Sequence, residues 1–230
     1  PKRIRPDFDQ FFETEVPPKA LEPLLRRAKE AKIAVHAGFC EKAEGKYFNT
    51  ALLTDTAGKL CGTFRKIHLP GTKEPDGFAQ VYEPYYFAHG DTGYRIFDAC
   101  GAKIGIAICQ DRRYPESYRA LALQGAEIIL IGYNTPISAL ALDLNELCLR
   151  SGAYANACFV VGIAKAGVED GVELLLRDGA GAQDDGDLAR LHVREVEIEH
   201  GSRLAVVGAA AGAALGGRRV VGALRVPPKD

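Results

Sequence analysis

A chain of 230 residues with 29 Lys+Arg against 30 Asp+Glu carries a net charge of -1, which removes any global electrostatic case for a nucleic-acid or acidic-membrane partner. Its composition, 47% hydrophobic and 26% charged, fits one large or two small globular domains and argues against wholesale disorder. No apolar run reaches the ~18 residues that a membrane-spanning helix needs, and the opening PKRIRPDFDQ has no apolar signal core.

The six cysteines show neither C-x-x-C pairing nor a His at zinc-finger spacing, so they predict reduced thiols in a cytoplasmic protein, with no metal and no cofactor. The chain contains no Met and reads as a fragment or processed piece.

The predicted elements alternate. Residues 9–16 are acidic and end at Pro17-Pro18, as a loop or short helix does. Residues 19–32 place Leu21, Leu24, Leu25 and Ala28 on one helical face. Residues 33–40 are an apolar run of strand length, and residues 47–54 and 59–67 are strands around the turn Asp55-Thr56-Ala57-Gly58. Residues 70–93 read as a long loop, of the kind that is usually functional or disordered.

Strands follow at 94–99 and 103–109. Next comes a helix opened by Pro115-Glu116 and stopped by Gly125, since Pro suits a first turn and Glu complements the helix dipole. A strand at 127–132, a helix at 138–156 and a strand at 158–164 complete the pattern. Hairpins combined with strand–helix–strand units imply a layered α/β fold with helices on the outer face of a mixed sheet. From Leu176 onward Gly, Ala, Val, Arg and Asp dominate, and no Tyr or Phe occurs after Phe159. Residues 176–230 are therefore expected to be a poorly packed tail, distinct from a domain at 1–175, such as a change of reading frame would produce.

The chemistry-bearing residues lie where strands end. Cys109 closes a buried strand just before a helix start, with Arg112 and Arg113 nearby, a setting that favours a nucleophilic thiolate. Cys40, Cys61 and Cys158 lie in apolar segments and read as small core residues. No His–Cys pairing is evident; His68 and His89 are the nearby histidines. Lys66, at a strand end before Pro70-Gly71, supplies a fixed cation for a developing oxyanion, unless it is simply a solvated strand end. A guanidinium grips a carboxylate bidentately, which makes Arg112 and Arg113 candidates for substrate binding; the competing reading is an ion pair with Asp111 or Glu116. Asn134 and Thr135 can add polar contacts to the same group.

In order along the chain, F-R-K-I-H-L-P-G, Y-E-P-Y-Y-F-A-H-G-D, G-I-A-I-C-Q-D-R-R-Y-P-E and G-A-E-I-I-L-I-G-Y-N-T-P resemble the nitrilase superfamily of carbon–nitrogen hydrolases. C-x-D-R-R-x-P-E and G-Y-N-T-P are most similar to N-carbamoyl-amino-acid amidohydrolases, chiefly the D-amino-acid type. The resemblance runs from residue 9 to about 174. It implies an αββα sandwich, incomplete here at its N-terminus, that assembles as a homodimer or homotetramer. It further implies a Glu–Lys–Cys catalytic set in which Cys109 is the nucleophile, Lys66 stabilises the oxyanion and Glu83 is the second glutamate, orienting substrate and lysine.

Three departures accompany the resemblance. The first glutamate, the general base, belongs in a segment that would precede Pro1; Glu13, Glu15 and Glu22 do not match it. The last strands of the sandwich find no match in 176–230. Tyr114 stands where relatives carry Trp, and the long loop is somewhat shorter.

The expected reaction is hydrolysis of an N-carbamoyl amino acid to amino acid, carbon dioxide and ammonia, weak or absent in this chain for want of its base. An N-carbamoylputrescine or aliphatic amidase would use the same thiol without needing two arginines for a carboxylate. A non-catalytic relative of the fold is the reading from a different class. The chain has neither G-x-G-x-x-G nor G-x-x-x-x-G-K-[ST], which argues against a nucleotide site.

Overall fold

The computed structural model describes residues 6–74, 81–134 and 139–164, together with strand segments at 167–169, 172–174, 195–198, 202–207 and 222–223. Its first sheet grows from a meander. Strand β1 (Ile33–Ala43) pairs antiparallel with β2 (Lys46–Thr54), and β2 pairs antiparallel with β3 (Leu60–Arg65). The β2–β3 turn is built on the Asp55 carboxylate, whose Oδ1 accepts the backbone N–H groups of Ala57 and Lys59. Helix α1 (Glu22–Glu30) lies on the outer face, with Leu21, Leu24, Leu25 and Ala28 packed against Val35, Ala37, Phe39 and Leu52.

The second sheet follows the order β4 (Ile96–Ala99), β5 (Ala102–Ile108), β6 (Ile128–Tyr133), β7 (Phe159–Ala164). Strands β5, β6 and β7 run parallel, and the crossovers carry α3 (Pro115–Leu123) and α4 (Ala139–Asn156). Those helices cover the outer row of Ala107, Ile129, Ile131 and Tyr133 through Tyr118, Leu121 and Leu149. The inner rows of the two sheets, Ala34, Ala51, Leu53 and Phe64 against Ile104, Ile106, Ile108, Leu130 and Val161, share one core. Period-two alternation divides the strands' residues between this shared inner core and the helix-facing cluster on each sheet's outer side. The result is a four-layer α–β–β–α arrangement.

Short helix α2 (Glu83–Tyr86) lies inside the segment read from sequence as a loop. The chain just beyond its C-terminal end is stitched to the first sheet: the Ala88 N–H donates to the Tyr47 carbonyl and the Gly90 N–H to the Lys66 carbonyl. A Cβ at Gly90 would stand 1.9 Å from the Arg65 carbonyl oxygen, so only glycine permits this approach. Aromatic edges clasp the helix, with Phe8 against Tyr85 and Tyr86, and Phe12 against Phe87.

Within 176–230, strands β10 (Glu195–Ile198), β11 (Ser202–Val207) and β12 (Gly222–Ala223) are described, and β11 runs parallel beside β1 with Ile33 opposite Arg203. A small hairpin pairs β8 (Gly167–Glu169) with β9 (Val172–Leu174). Among the described residues, no helix is long and apolar enough to cross a membrane.

Candidate active site

Strand β3 delivers Lys66 to one end of the sandwich, and the parallel strands β5 and β6 deliver Cys109 and Asn134 beyond their carboxyl ends. In sheets containing parallel strands, this is the crevice where ligands sit. Lys66 is 1% exposed. Its ammonium donates to both carboxylate oxygens of Glu83, at 2.8 and 2.6 Å. Burial alone would favour loss of the lysine proton. The opposing charges of Cys109 and Glu83, the Glu83 hydrogen bonds and Asp111 outweigh it, so the ammonium is held above the usual lysine range. Lys66 is therefore a fixed cation and not a base. It is not a solvated strand end.

Cys109 begins a tight 3-10 turn, Cys109–Arg113, that leads from β5 into α3. Its φ of 49° is left-handed, a conformation that costs a non-glycine residue about 1–3 kcal/mol and persists only where the surroundings enforce it. The thiol lies 3.9 Å from the Asn134 carbonyl oxygen and 3.7 Å from Nη1 of Arg112.

The two arginines diverge. Arg112 is 2% exposed, and Arg113 is exposed. The Arg112 guanidinium donates from Nη1 to the Cys109 carbonyl at 2.6 Å and from Nε to Oδ1 of Asn145 at 2.9 Å; Nη2 shares that second acceptor. Its Cζ stands 4.4 Å from the centre of the Tyr133 ring. Neither arginine pairs with Asp111 or Glu116 among the described residues. Asn134 has its Oδ1 buried without a hydrogen-bond partner among the described residues, and Thr135 lies outside them.

The histidines serve other partners. The carboxylate of fully buried Asp111 accepts the His68 backbone N–H at 2.9 Å and the His68 ring Nδ1–H at 2.8 Å. Its second oxygen accepts the Ile108 N–H at 3.0 Å. Tyr94 joins through its hydroxyl, 3.3 Å from Asp111 and 2.6 Å from the Ser117 hydroxyl. Burial and then the Asp111 charge push the Tyr94 phenol up, which keeps it a donor. His89 Nδ1 bonds the Ile67 carbonyl at 2.7 Å. Tyr114 lies flat on His68, with ring centres 3.8 Å apart, so the tyrosine at this position supplies an aromatic stack.

The site thus brings together Cys109, Lys66, Glu83, Arg112 and Asn134, and adds residues that the sequence did not mark. Asp111 was weighed only as a partner for arginine, and Asn145 sits in a helix with no motif around it. Their signal is burial of a polar group, which a one-dimensional pattern does not display. Among the described residues, no group of three or more His, Cys, Asp and Glu is arranged to hold a metal ion.

A four-layer sandwich with these sheet ends is the nitrilase fold. It superposes on a carbon–nitrogen hydrolase from Helicobacter pylori G27 with a TM-score of 0.64 at 28% identity, covering 74% of this chain and 58% of that one. An amidase from Nesterenkonia sp. has the same fold, with a TM-score of 0.58 at 21% identity over 67% of this chain and 55% of that one.

Residues 6–217 match the carbon–nitrogen hydrolase family, and the chain belongs to it. The match continues beyond residue 174, where the sequence motifs stop. An N-carbamoylputrescine amidase of Solanum lycopersicum is 37% identical over 134 residues, 57% of this chain and 42% of that protein. A citrullinase of Francisella tularensis subsp. tularensis is 37% identical over 112 residues, 49% of this chain and 36% of that protein. The chain thus spans less than half the length of these curated relatives.

Proposed function

We propose that the chain hydrolyses, at the low rate expected of it, the C–N bond of N-carbamoyl compounds, most specifically N-carbamoyl amino acids, through a covalent adduct on Cys109. The observation that carries this reading is the buried Lys66–Glu83 pair at the same sheet end as a cysteine held in a left-handed turn. In the proposed reaction the Cys109 thiolate attacks the ureido carbonyl carbon. A C–S bond forms, and the carbonyl π pair moves onto oxygen beside the Lys66 ammonium, which offsets the new charge in a dry setting. Collapse of that intermediate breaks the terminal C–N bond, and the departing nitrogen takes up the proton that the Cys109 thiol gave up and leaves as ammonia. Water then cleaves the thioester-like adduct, and the released carbamate breaks down to carbon dioxide and the free amino acid. Glu83 orients the lysine.

Arg113, exposed and with no hydrogen bond or ion pair among the described residues, grips the substrate carboxylate; Asn134 and Thr135 add polar contacts to it. Arg112 contributes from behind the nucleophile. All six cysteines are free thiols, as suits a reducing cytoplasm. The subunit assembles as a homodimer or homotetramer, for which the exposed Leu147 and Tyr154 of α4 offer apolar surface.

A second reading is favoured by the N-carbamoylputrescine amidase relatives: a substrate bearing an amine in place of the carboxylate. Ammonia release from N-carbamoyl amino acids and from N-carbamoyl amines, measured side by side on the purified chain, decides between them. Preference for the carboxylate-bearing series supports the first reading, and preference for the amine series replaces it with the second.

A further inference from the structure

Asn145 is 4% exposed and lies on α4, outside the motifs that mark the site in the sequence. Its Oδ1 takes hydrogen bonds from both Nε and Nη2 of Arg112. A guanidinium only donates, so the amide must turn its oxygen toward Arg112, and this fixes the side chain's orientation by chemistry. The amide nitrogen on the far side has no partner among the described residues. What the structure uses of this residue is its acceptor oxygen.

The opposite edge of the same guanidinium reaches the nucleophile. Nη1 of Arg112 donates to the Cys109 carbonyl at 2.6 Å and sits 3.7 Å from its sulfur, while the Tyr133 ring backs the guanidinium plane at 4.4 Å. Cys109 occupies a left-handed conformation with φ 49°, which non-glycine residues hold only under external constraint. A carbonyl fastened to a rigid, buried guanidinium is such a constraint. Asn145 ties the other edge of that guanidinium through Nε and Nη2.

We propose that Asn145 is a positioning residue for Cys109, acting through Arg112 to hold the nucleophile's strained turn. The proposal rests on reading Cys109 as the nucleophile, and it deepens that reading by making α4, through one amide oxygen, part of the catalytic apparatus. It also separates the two arginines: Arg112 holds the sulfur, and Arg113 meets substrate.

The test is alkylation of the 230-residue chain by iodoacetamide, with the rate at each cysteine-bearing peptide followed by mass spectrometry. In the parent, Cys109 reacts faster than Cys61 or Cys158. Asn145→Leu, similar in size without the acceptor, slows Cys109 by about tenfold or more and leaves the other cysteines at parental rates. Asn145→Asp keeps the acceptor and returns Cys109 to within about threefold of the parent. If Leu opens the whole chain, seen as all six cysteines reacting together, Asn145→Ala carries the same comparison.

With an N-carbamoyl amino acid as substrate, the loss in Asn145→Leu falls on kcat, with KM within about twofold. Parental alkylation in the acceptor-free variants, equal slowing in Leu and Asp, or a loss confined to KM overturns the proposal. A parent whose Cys109 is no more reactive than Cys61 overturns the nucleophile reading itself, and the two failures are therefore distinct.

Discussion

Asp111 accepts both the backbone N–H and the ring Nδ1–H of His68, joining the turn that carries Cys109 to the segment that carries Lys66. The Cys109 turn leaves the second sheet and the Lys66 segment leaves the first. One fully buried carboxylate therefore ties the turn that carries the thiol to the segment that carries the ammonium.

Removing that carboxylate leaves three donors without this acceptor, two on half-buried His68 and one on buried Ile108. Asp111→Ala is expected to lower unfolding free energy by about 3 kcal/mol, as measured by urea denaturation. Asp111→Asn retains one acceptor oxygen and is expected to lose less. Equal and small losses in both would show that the bridge carries no tension between the sheets.

Lys66→Ala is expected to slow covalent modification of Cys109 by an N-carbamoyl substrate by about 10²–10³-fold, the range for removing a preorganised oxyanion donor. Because its pKa is raised on folding, the lysine's contribution to stability is fully present below the ordinary lysine value. It is lost only as pH climbs through the raised one. The stability difference between the parent and Lys66→Met should accordingly stay flat from about pH 6 to about pH 9 in urea titrations.

His36 predicts the opposite slope. Its imidazole is fully buried on the inner face of β1, both ring nitrogens lack partners among the described residues, and burial pushes its pKa down to about 4. The unfolded chain therefore binds a proton that the folded chain refuses. Stability from the neutral imidazole is present above the ordinary histidine value and declines as pH falls toward 4, by about 3 kcal/mol in all. A Cβ at Gly132 would stand 3.7 Å from the ring, in ordinary van der Waals contact, so β6 packs directly against the imidazole. His36→Phe should flatten the acid limb of urea midpoints relative to the parent. An unchanged limb would place the proton elsewhere.

Arg113→Ala is expected to raise KM for carboxylate-bearing substrates by about 10–100-fold and to leave uncharged amides within about twofold. Steady-state kinetics on matched acid and amide pairs checks this. An equal effect on both series would remove the carboxylate grip from Arg113.

Much of this architecture was legible in one dimension. The apolar run at 33–40, the strands at 47–54 and 59–67 around the turn at Asp55 and the strand–helix–strand units around Pro115 and Gly125 reflect local rules, and the elements lie close to where those rules put them. Helix α2 was not legible. Its four residues are held by ties from Ala88 and Gly90 to the first sheet and by packing of Phe8, all of them contacts distant in sequence. Local composition registered only a loop.

The same distinction holds for the site. Lys66, Glu83 and Cys109 were found through motif order, and the fold brings them to one end. The burial of Arg112 and exposure of Arg113 were hidden, because adjacent arginines differ only in which way the turn aims them. Asn145 was hidden because its partner lies 33 residues away. Strands β10 and β11 lie in a Gly- and Ala-rich context; they pair with each other, and β11 pairs in turn with β1, a partner distant in sequence.

The central claim is covalent chemistry at one sulfur. The chain mixed with an N-carbamoyl amino acid, quenched in acid within the first turnover and digested for peptide mass spectrometry, should carry the substrate's carbonyl adduct on Cys109. None should appear on Cys40, Cys61, Cys100, Cys148 or Cys158, and Cys109→Ser should abolish the signal. Ammonia release with Cys109 unmodified at every quench time, or persisting in Cys109→Ser, would contradict it.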